Sequence, residues 1–207
     1  MAKERLTRQE QQQRNRVNLL TAAEKVFAER GIQGASLDEV AAEAGLTKGA
    51  VYSNFASKEE LVLELMRQRM SERARTQAER LLCADRPAEE LVTEFGEYWT
   101  ATFREEEQQL YLRVVMEFLV HALRHPNAKD QLRELLFPPT AMERHPLVPP
   151  GSELAKLPPE DADTILKALE IGMGILALLD PEHRPAELFG VALELLAGMG
   201  VDESRIP

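Results

Sequence analysis

An all-α fold is what this sequence predicts, on three observations. Apolar residues recur at three- and four-residue steps through nearly every segment. Two Ser-x-x-Glu capping boxes stand just ahead of such runs. Neither sustained alternation nor an Asn-Gly turn marks a hairpin anywhere. With 207 residues, 44% of them hydrophobic, the chain is long enough for one sizeable core or two small ones.

The first helix carries Val17, Leu20, Ala23, Val26 and Phe27 at helical spacing and ends at RGIQG, with glycine just past the last periodic residue. In SLDE, Ser36 and Glu39 have the spacing at which a hydroxyl and a carboxylate satisfy each other's free backbone N–H groups. They open a short helix over roughly 37–44. AGLT breaks it: Gly45 supplies a left-handed turn residue, Leu46 a core plug and Thr47 the cap of a second short helix, about 48–54. Ser57 and Glu60 form the second box, and the long helix they open continues to about Leu82.

Beyond ADRP come three amphipathic stretches. The first covers 88–105 with Phe95, Tyr98, Trp99 and Phe103; the second covers 108–125 with Leu112, Val115, Met116, Leu119 and Leu123; the third covers 127–137. Residues 138–160 hold more than half of the twelve prolines and read as a connection, because proline cannot continue a helix. Two apolar helices, 161–180 and 185–199, close the chain.

Composition excludes several classes. No apolar run approaches the ~20 residues of a membrane span, and the N-terminal MAKERLTRQEQQQRNR lacks the apolar core of a secretory signal, so a cytoplasmic location is expected. One cysteine, Cys83, makes neither an intramolecular disulfide nor a Cys-rich metal cluster, and reads as a small apolar helix residue. The net charge of −10 argues against indiscriminate coating of nucleic acid. It is unevenly spread: residues 1–60 carry nine Lys/Arg against nine Asp/Glu, which sum to zero, so residues 61–207 hold the whole −10. Within the first sixteen residues five bases face two acids, a local +3.

Two short helices joined by a glycine-containing turn, near a basic N-terminal end, describe a helix-turn-helix whose second helix is sized for the DNA major groove. Small Gly49, Ala50 and Ser53 let the backbone approach DNA, while Val51 and Phe55 face inward. Lys48 and the Tyr52 hydroxyl are suited to phosphates; Thr47, Ser53 and Asn54 are short hydrogen-bonding groups for base edges or backbone. Lys58 sits in the first turn of the long helix, where free N–H groups also favour a phosphate. With Ser36, these make the candidate DNA-contacting set Ser36, Thr47, Lys48, Gly49, Tyr52, Ser53, Asn54 and Lys58. Arg5, Arg8, Arg14 and Arg16 read either as an arm reaching the minor groove or backbone, or as a tail.

The stretch AAEKVFAERGIQGASLDEVAAEAGLTKGAVYSNFASKEELVLEL is similar to the DNA-binding domain of the tetracycline-repressor (TetR) family over roughly residues 16–66. The likeness rests on the ordered set Phe27, Gly31, Ser36, Val40, Ala41, Ala44, Gly45, Thr47, Lys48, Gly49, Tyr52, Phe55 and Lys58. Ser53 and Asn54 stand where the family often has a bulkier aromatic or histidine pair, so an operator sequence does not transfer.

The resemblance implies a homodimer, held by the last two long helices as a four-helix bundle, that binds a palindromic operator and blocks transcription until a small-molecule effector releases it. Geometry agrees: one short helix reads few base pairs, so two-fold symmetry must set a second roughly 34–36 Å away. The helices within 161–199 are apolar over more than one stripe (Ile165, Leu169, Met173, Leu176, Leu188, Val191, Leu195, Met199), which a monomer would leave partly exposed. The expected organisation is therefore 1–60 for DNA, with a basic arm, and 61–207 for effector binding and dimerisation.

For the effector, the candidate lining is Phe95, Trp99, Phe103 and Met116, with Glu117 and His121 as polar anchors; the competing reading makes most of these core. Glu117, His121 and His125 have metal-compatible spacing, but His125 precedes Pro126 at a helix end, and no metal or other cofactor is expected. GMGILA at 172–177 fits a loose dinucleotide fingerprint without a preceding strand, so Gly172 and Gly174 read as close helix packing at the dimer interface. Arg67, Arg69, Arg73, Arg75 and Arg80 interleave with acids as a solvated face. No nucleophile elbow, phosphate loop or paired metal ligands support an enzyme. A helical adaptor without DNA is the remaining alternative.

Overall fold

A computed structural model describes residues 7–82, 87–137, 147–180, 182 and 185–200 of the chain. The readings of Cys83 and Arg5 lie outside the described residues, as does that of the Arg80 side chain. The fold is all-α: among the described residues there are nine α-helices, one short 3-10 turn and no strand. The helices are α1 (Arg8–Gly34), α2 (Leu37–Glu43), α3 (Lys48–Tyr52), α4 (Lys58–Leu82), α5 (Ala88–Phe103), α6 (Glu106–Ala122), α7 (Pro126–Leu136), α8 (Pro159–Leu179) and α9 (Pro185–Leu196), with the 3-10 turn at Leu154–Lys156 ahead of α8.

The chain forms two compact units: Met1–Ala74 with Arg113–Pro138, and Arg75–Leu112 with Pro139–Pro207. Residue 60, the expected boundary, falls inside α4 and the first unit. Both α4 and α6 begin in one unit and end in the other.

In the first unit α1 starts at a reciprocal cap: Thr7 Oγ1 accepts from the Glu10 N–H, and the Glu10 carboxylate accepts from the Thr7 N–H. Arg8, Arg14 and Arg16 are thus helical. The buried stripe runs Leu19, Leu20, Ala22, Ala23, Val26 and Phe27. Val17, expected in it, is 44% exposed, since the stripe turns one position away from it. At Gly31 the backbone takes φ 71°, ψ 164°, breaking the helix before its last residues. That region is open essentially to glycine alone.

The Ser36–Glu39 box that opens α2 is fully formed. Glu39 also receives the Ser36 hydroxyl and an ion pair from Arg30. The Ser36 hydroxyl, then the Ser36 backbone N–H and Arg30, hold the Glu39 carboxyl below its ordinary value against the smaller opposing effect of desolvation. A carboxylate lowered in the folded state contributes stability above its unfolded pKa and loses it as pH falls through the folded value. In an NMR titration Glu39 is expected to titrate below free glutamate, and Ser36→Ala to move its midpoint back up. An unchanged midpoint in that variant would contradict the box.

The second unit is built on the crossing of α5 and α9, the most extensive helix pair among the described residues. Its closest approach is backbone on backbone: a Cβ built on Gly96 would lie 2.7 Å from the Cα of Gly190. One turn on, the Trp99 indole is stacked between Phe189 (centroids 4.2 Å apart) and Phe103 (4.9 Å), and Phe95 meets Phe189 at a tilt of 57° and 6.1 Å. The Thr100 hydroxyl donates across the crossing to the Ala186 carbonyl at 2.8 Å. Buried Glu194 accepts from the Thr93 hydroxyl at 3.2 Å. Helix α8 lies along α9 and uses Gly174 to admit Phe103 and Leu112. By contrast, among the described residues nothing beyond its own helix comes within 4 Å of a Cβ placed on Gly172. The outer faces of α8 and α9 leave Ile165, Leu176, Leu179 and Leu195 exposed. Among the described residues no helix is long and apolar enough to cross a membrane.

Candidate nucleic-acid interface

Helix α2 packs against both α1 and α3. The turn between them is closed by the residue types expected: Gly45 takes φ 65°, the Leu46 N–H reaches back to the Ala41 carbonyl at 2.9 Å, and Leu46 is half-buried. Thr47 Oγ1 accepts from the Ala50 N–H and caps α3. Val51 and Phe55 are buried and pin the helix down, so its other face, with Lys48, Gly49, Tyr52 and Ser53, is turned to solvent. Tyr52 is the one aromatic side chain there, 50% exposed, with the Lys48 ammonium 5.9 Å from its ring centroid. Little else keeps the α3 backbone from close approach to a ligand.

The C-terminal end of α3 is anchored by Arg16. Its guanidinium donates to the Asn54 carbonyl (3.0 Å), pairs with Glu64 (3.2 Å) and lies 4.5 Å over the Phe55 ring. Arg16 therefore acts as a strut for α3, while Arg8 and Arg14 stand exposed on the first turns of α1. The polar groups near the end of α3 also have local partners: Ser53 Oγ and Asn54 Nδ2 both donate to the Ala50 carbonyl, and Ser36 is occupied by its box.

Lys58 differs from the expectation. Its ammonium donates to the carbonyls of Ile32 (2.6 Å) and Ala35 (3.0 Å), turned toward the end of α1 instead of a phosphate. Carbonyls at a helix end have no intrahelical partner, and a nearby cation is their natural one. The same bend is held from the other side by Glu117 of α6, whose two carboxylate oxygens each accept a backbone N–H, from Ile32 and from Gln33, at 2.7 Å. Beside it, His121 Nε2 lies 2.7 Å from Glu59 Oε1 and its ring stacks on His125 at 4.1 Å. Glu117 and His121 thus tie α6 to the end of α1 and the start of α4, within the first unit.

Phe95, Trp99 and Phe103 belong to the second unit, where Trp99 and Phe103 are buried in its stack. Met116 is half-buried on α6. The expected effector residues are accordingly divided between the two units. Among the described residues no three His, Cys, Asp or Glu side chains gather as a metal site.

Three acids of α2 each reach a base. Glu39 pairs with Arg30, Glu43 with Lys25 (2.6 Å), and Asp38 reaches across the turn to Lys48 of α3 at 2.7 Å. Sequence reasoning overlooked Asp38, because only the turn geometry brings residues ten apart together. Arg16 was misjudged for the same reason, its partners lying 38 and more residues away.

Comparison with known proteins concurs with this geometry. Residues 19–65 match the family described as bacterial regulatory proteins, tetR family. The chain is 46% identical over 52 residues to the HTH-type transcriptional repressor KstR2 of Mycobacterium tuberculosis, covering 25% of this chain and 26% of that protein. It is 40% identical over 57 residues to the HTH-type transcriptional regulator TtgR of Pseudomonas putida, covering 28% and 27%. The matched stretch spans about a quarter of these relatives' own length. The whole fold resembles a transcriptional regulator from Saccharomonospora viridis solved with choline: TM-score 0.67 at 19% identity, over 88% of this chain and 94% of the other.

Proposed function

We propose, from the match of residues 19–65 to the tetR family of bacterial regulatory proteins, that the chain is a homodimeric transcriptional repressor, released from a palindromic operator by a small-molecule effector. The observation that carries the reading is the solvent-facing side of α3. Lys48, Gly49, Tyr52 and Ser53 stand clear on a helix whose opposite side and end are tied down by Val51, Phe55 and Arg16. Residues 1–60 meet DNA in this scheme, and 61–207 carry the effector and dimer surfaces. Lys48 and Tyr52 take phosphates, Thr47 and Ser53 the base edges or nearby backbone.

Dimerisation is supported by the outer faces of α8 and α9. Leu176 is 52%, Leu179 76% and Leu195 60% exposed, and apolar groups clustered in this way favour a partner surface over water. Gly172, open on its own chain, leaves room there for a second copy.

The effector acts by population shift: bound in the α-helical core, with Phe95, Trp99 and Phe103 as its apolar contacts, it favours a dimer whose α3 helices are wrongly spaced. A differential affinity of ~1.4 kcal/mol weakens operator binding tenfold. The chain works in the cytoplasm, where the operator is.

The test is a gel shift with duplex DNA from upstream of the protein's own coding sequence, at stepped salt. A specific, salt-sensitive complex is expected, and Lys48→Ala should flatten the slope of log K against log salt by about 0.9 for each phosphate that is no longer neutralised. Tyr52→Ala should weaken the complex while leaving thermal stability intact. Binding no tighter than to scrambled duplex would sink the reading. Sedimentation should return a dimer, and a thermal-shift screen with choline among its compounds addresses the effector.

A further inference from the structure

Most cations described between α1 and the start of α4 have a partner. Lys25 and Arg30 pair with α2, Arg16 with Glu64, and Lys58 with backbone carbonyls. Helix α3 itself, KGAVY, contains a single cation, Lys48, and Asp38 holds it. Among the acids of α2, Glu39 and Glu43 point to α1; Asp38 alone points to the recognition helix. Both members of the pair are well exposed, 63% for Lys48 and 55% for Asp38, so the contact braces no core. Yet a carboxylate at 2.7 Å on the exposed edge of α3 is an odd neighbour for a surface that meets a polyanion.

We propose that Asp38 is a specificity-determining residue that withholds Lys48 from non-operator DNA. The inference rests on the DNA-binding reading above. Non-specific binding is driven almost wholly by cations neutralising phosphates across a hydrated gap. A phosphate at that distance does not displace a carboxylate already touching the ammonium. Seating α3 in the groove of its operator brings a phosphate up against the lysine, and Lys48 then changes partners. Random sequence offers no base-edge hydrogen bonds to drive that seating, and the lysine stays with Asp38. The charge pair thus removes a phosphate partner where no sequence is recognised and restores it where one is.

The experiment measures binding of the full-length protein to two probes: a duplex selected by the wild-type protein from a random-sequence pool, and a scrambled duplex of the same composition. Asp38→Asn removes the charge and keeps the shape. It is expected to tighten binding to scrambled DNA by about three- to tenfold per dimer, the scale of exposed ion pairs. Its salt slope on that probe should steepen by about 0.9 for each Lys48 released. Affinity for the selected duplex should change less, so the ratio between the probes falls. In a Lys48→Ala background the same Asp38→Asn change should have no effect on either probe.

An equal gain on both probes would overturn the assignment, since Asp38 would then act without regard to sequence. A gain that survives Lys48→Ala would overturn it as well, because plain repulsion of phosphate would suffice. If wild-type protein selects no duplex at all, the DNA reading falls and takes this proposal with it. A wild-type complex with no response to Asp38→Asn removes this proposal alone.

Discussion

Gly31→Ala is expected to destabilise the protein by roughly 2–4 kcal/mol, seen as a lowered denaturant midpoint at unchanged slope. Two causes act together. At φ 71°, ψ 164° the backbone is in a region that an L side chain enters at a cost on the order of 1–3 kcal/mol. The added methyl would also stand 2.9 Å from Glu117 Oε2, the oxygen that accepts the Ile32 N–H at 2.7 Å. Either the bend opens or the carboxylate withdraws, and withdrawal leaves a part-buried N–H without its acceptor, a loss of about 1–3 kcal/mol. A variant within ~0.5 kcal/mol of wild type would refute the left-handed bend at Gly31.

Gly96→Ala should be nearly as damaging, for a different reason. Alanine is normally the better helix residue by up to ~1 kcal/mol, but here its Cβ would meet the Gly190 Cα at 2.7 Å. A backbone atom has no rotamer to yield with, so α5 and α9 must move apart along the whole crossing. That separates Trp99 from Phe189 and lengthens the Thr100–Ala186 bond. A net loss of about 1–3 kcal/mol follows from overpacking of this kind, measurable as a drop in Tm. Gly172→Ala is the control: with open space around it, the helix-propensity gain should stand alone in the isolated protomer. Equal Tm values for Gly96→Ala and wild type would refute the close crossing.

Local chemistry explains which parts of the fold were legible in the sequence. Ser36 with Glu39, Thr47, Gly45 and Ser57 with Glu60 act on backbone groups within four residues, so spacing alone reveals them. The Ser57 box departs only in detail, the Glu60 carboxylate accepting from the Ala56 N–H in place of that of Ser57. Periodicity likewise found Val51 and Phe55 as the inward side of α3.

Long-range pairing was not legible. Nothing in the sequence near Glu117 announces that the bend at Gly31 needs two N–H acceptors, 84 and 85 residues away. Glu117 therefore read as a possible ligand anchor, and Lys58, which serves the same bend, as a phosphate contact. Leu123 shows the same limit from the apolar side. It lies on the expected stripe of α6 yet is 66% exposed, because the helix ends before it can be covered.

The stacked rings of the second unit have an optical consequence. The chain has a single indole, and it is sandwiched between two phenyl groups with 3% of its surface in water. Indole emission, excited beyond the tyrosine absorption, therefore arises from one spot, blue-shifted and shielded from iodide quenching while the sandwich is intact. Any event that parts α5 from α9 would redden that light, so loosening of this region is visible without attaching a dye.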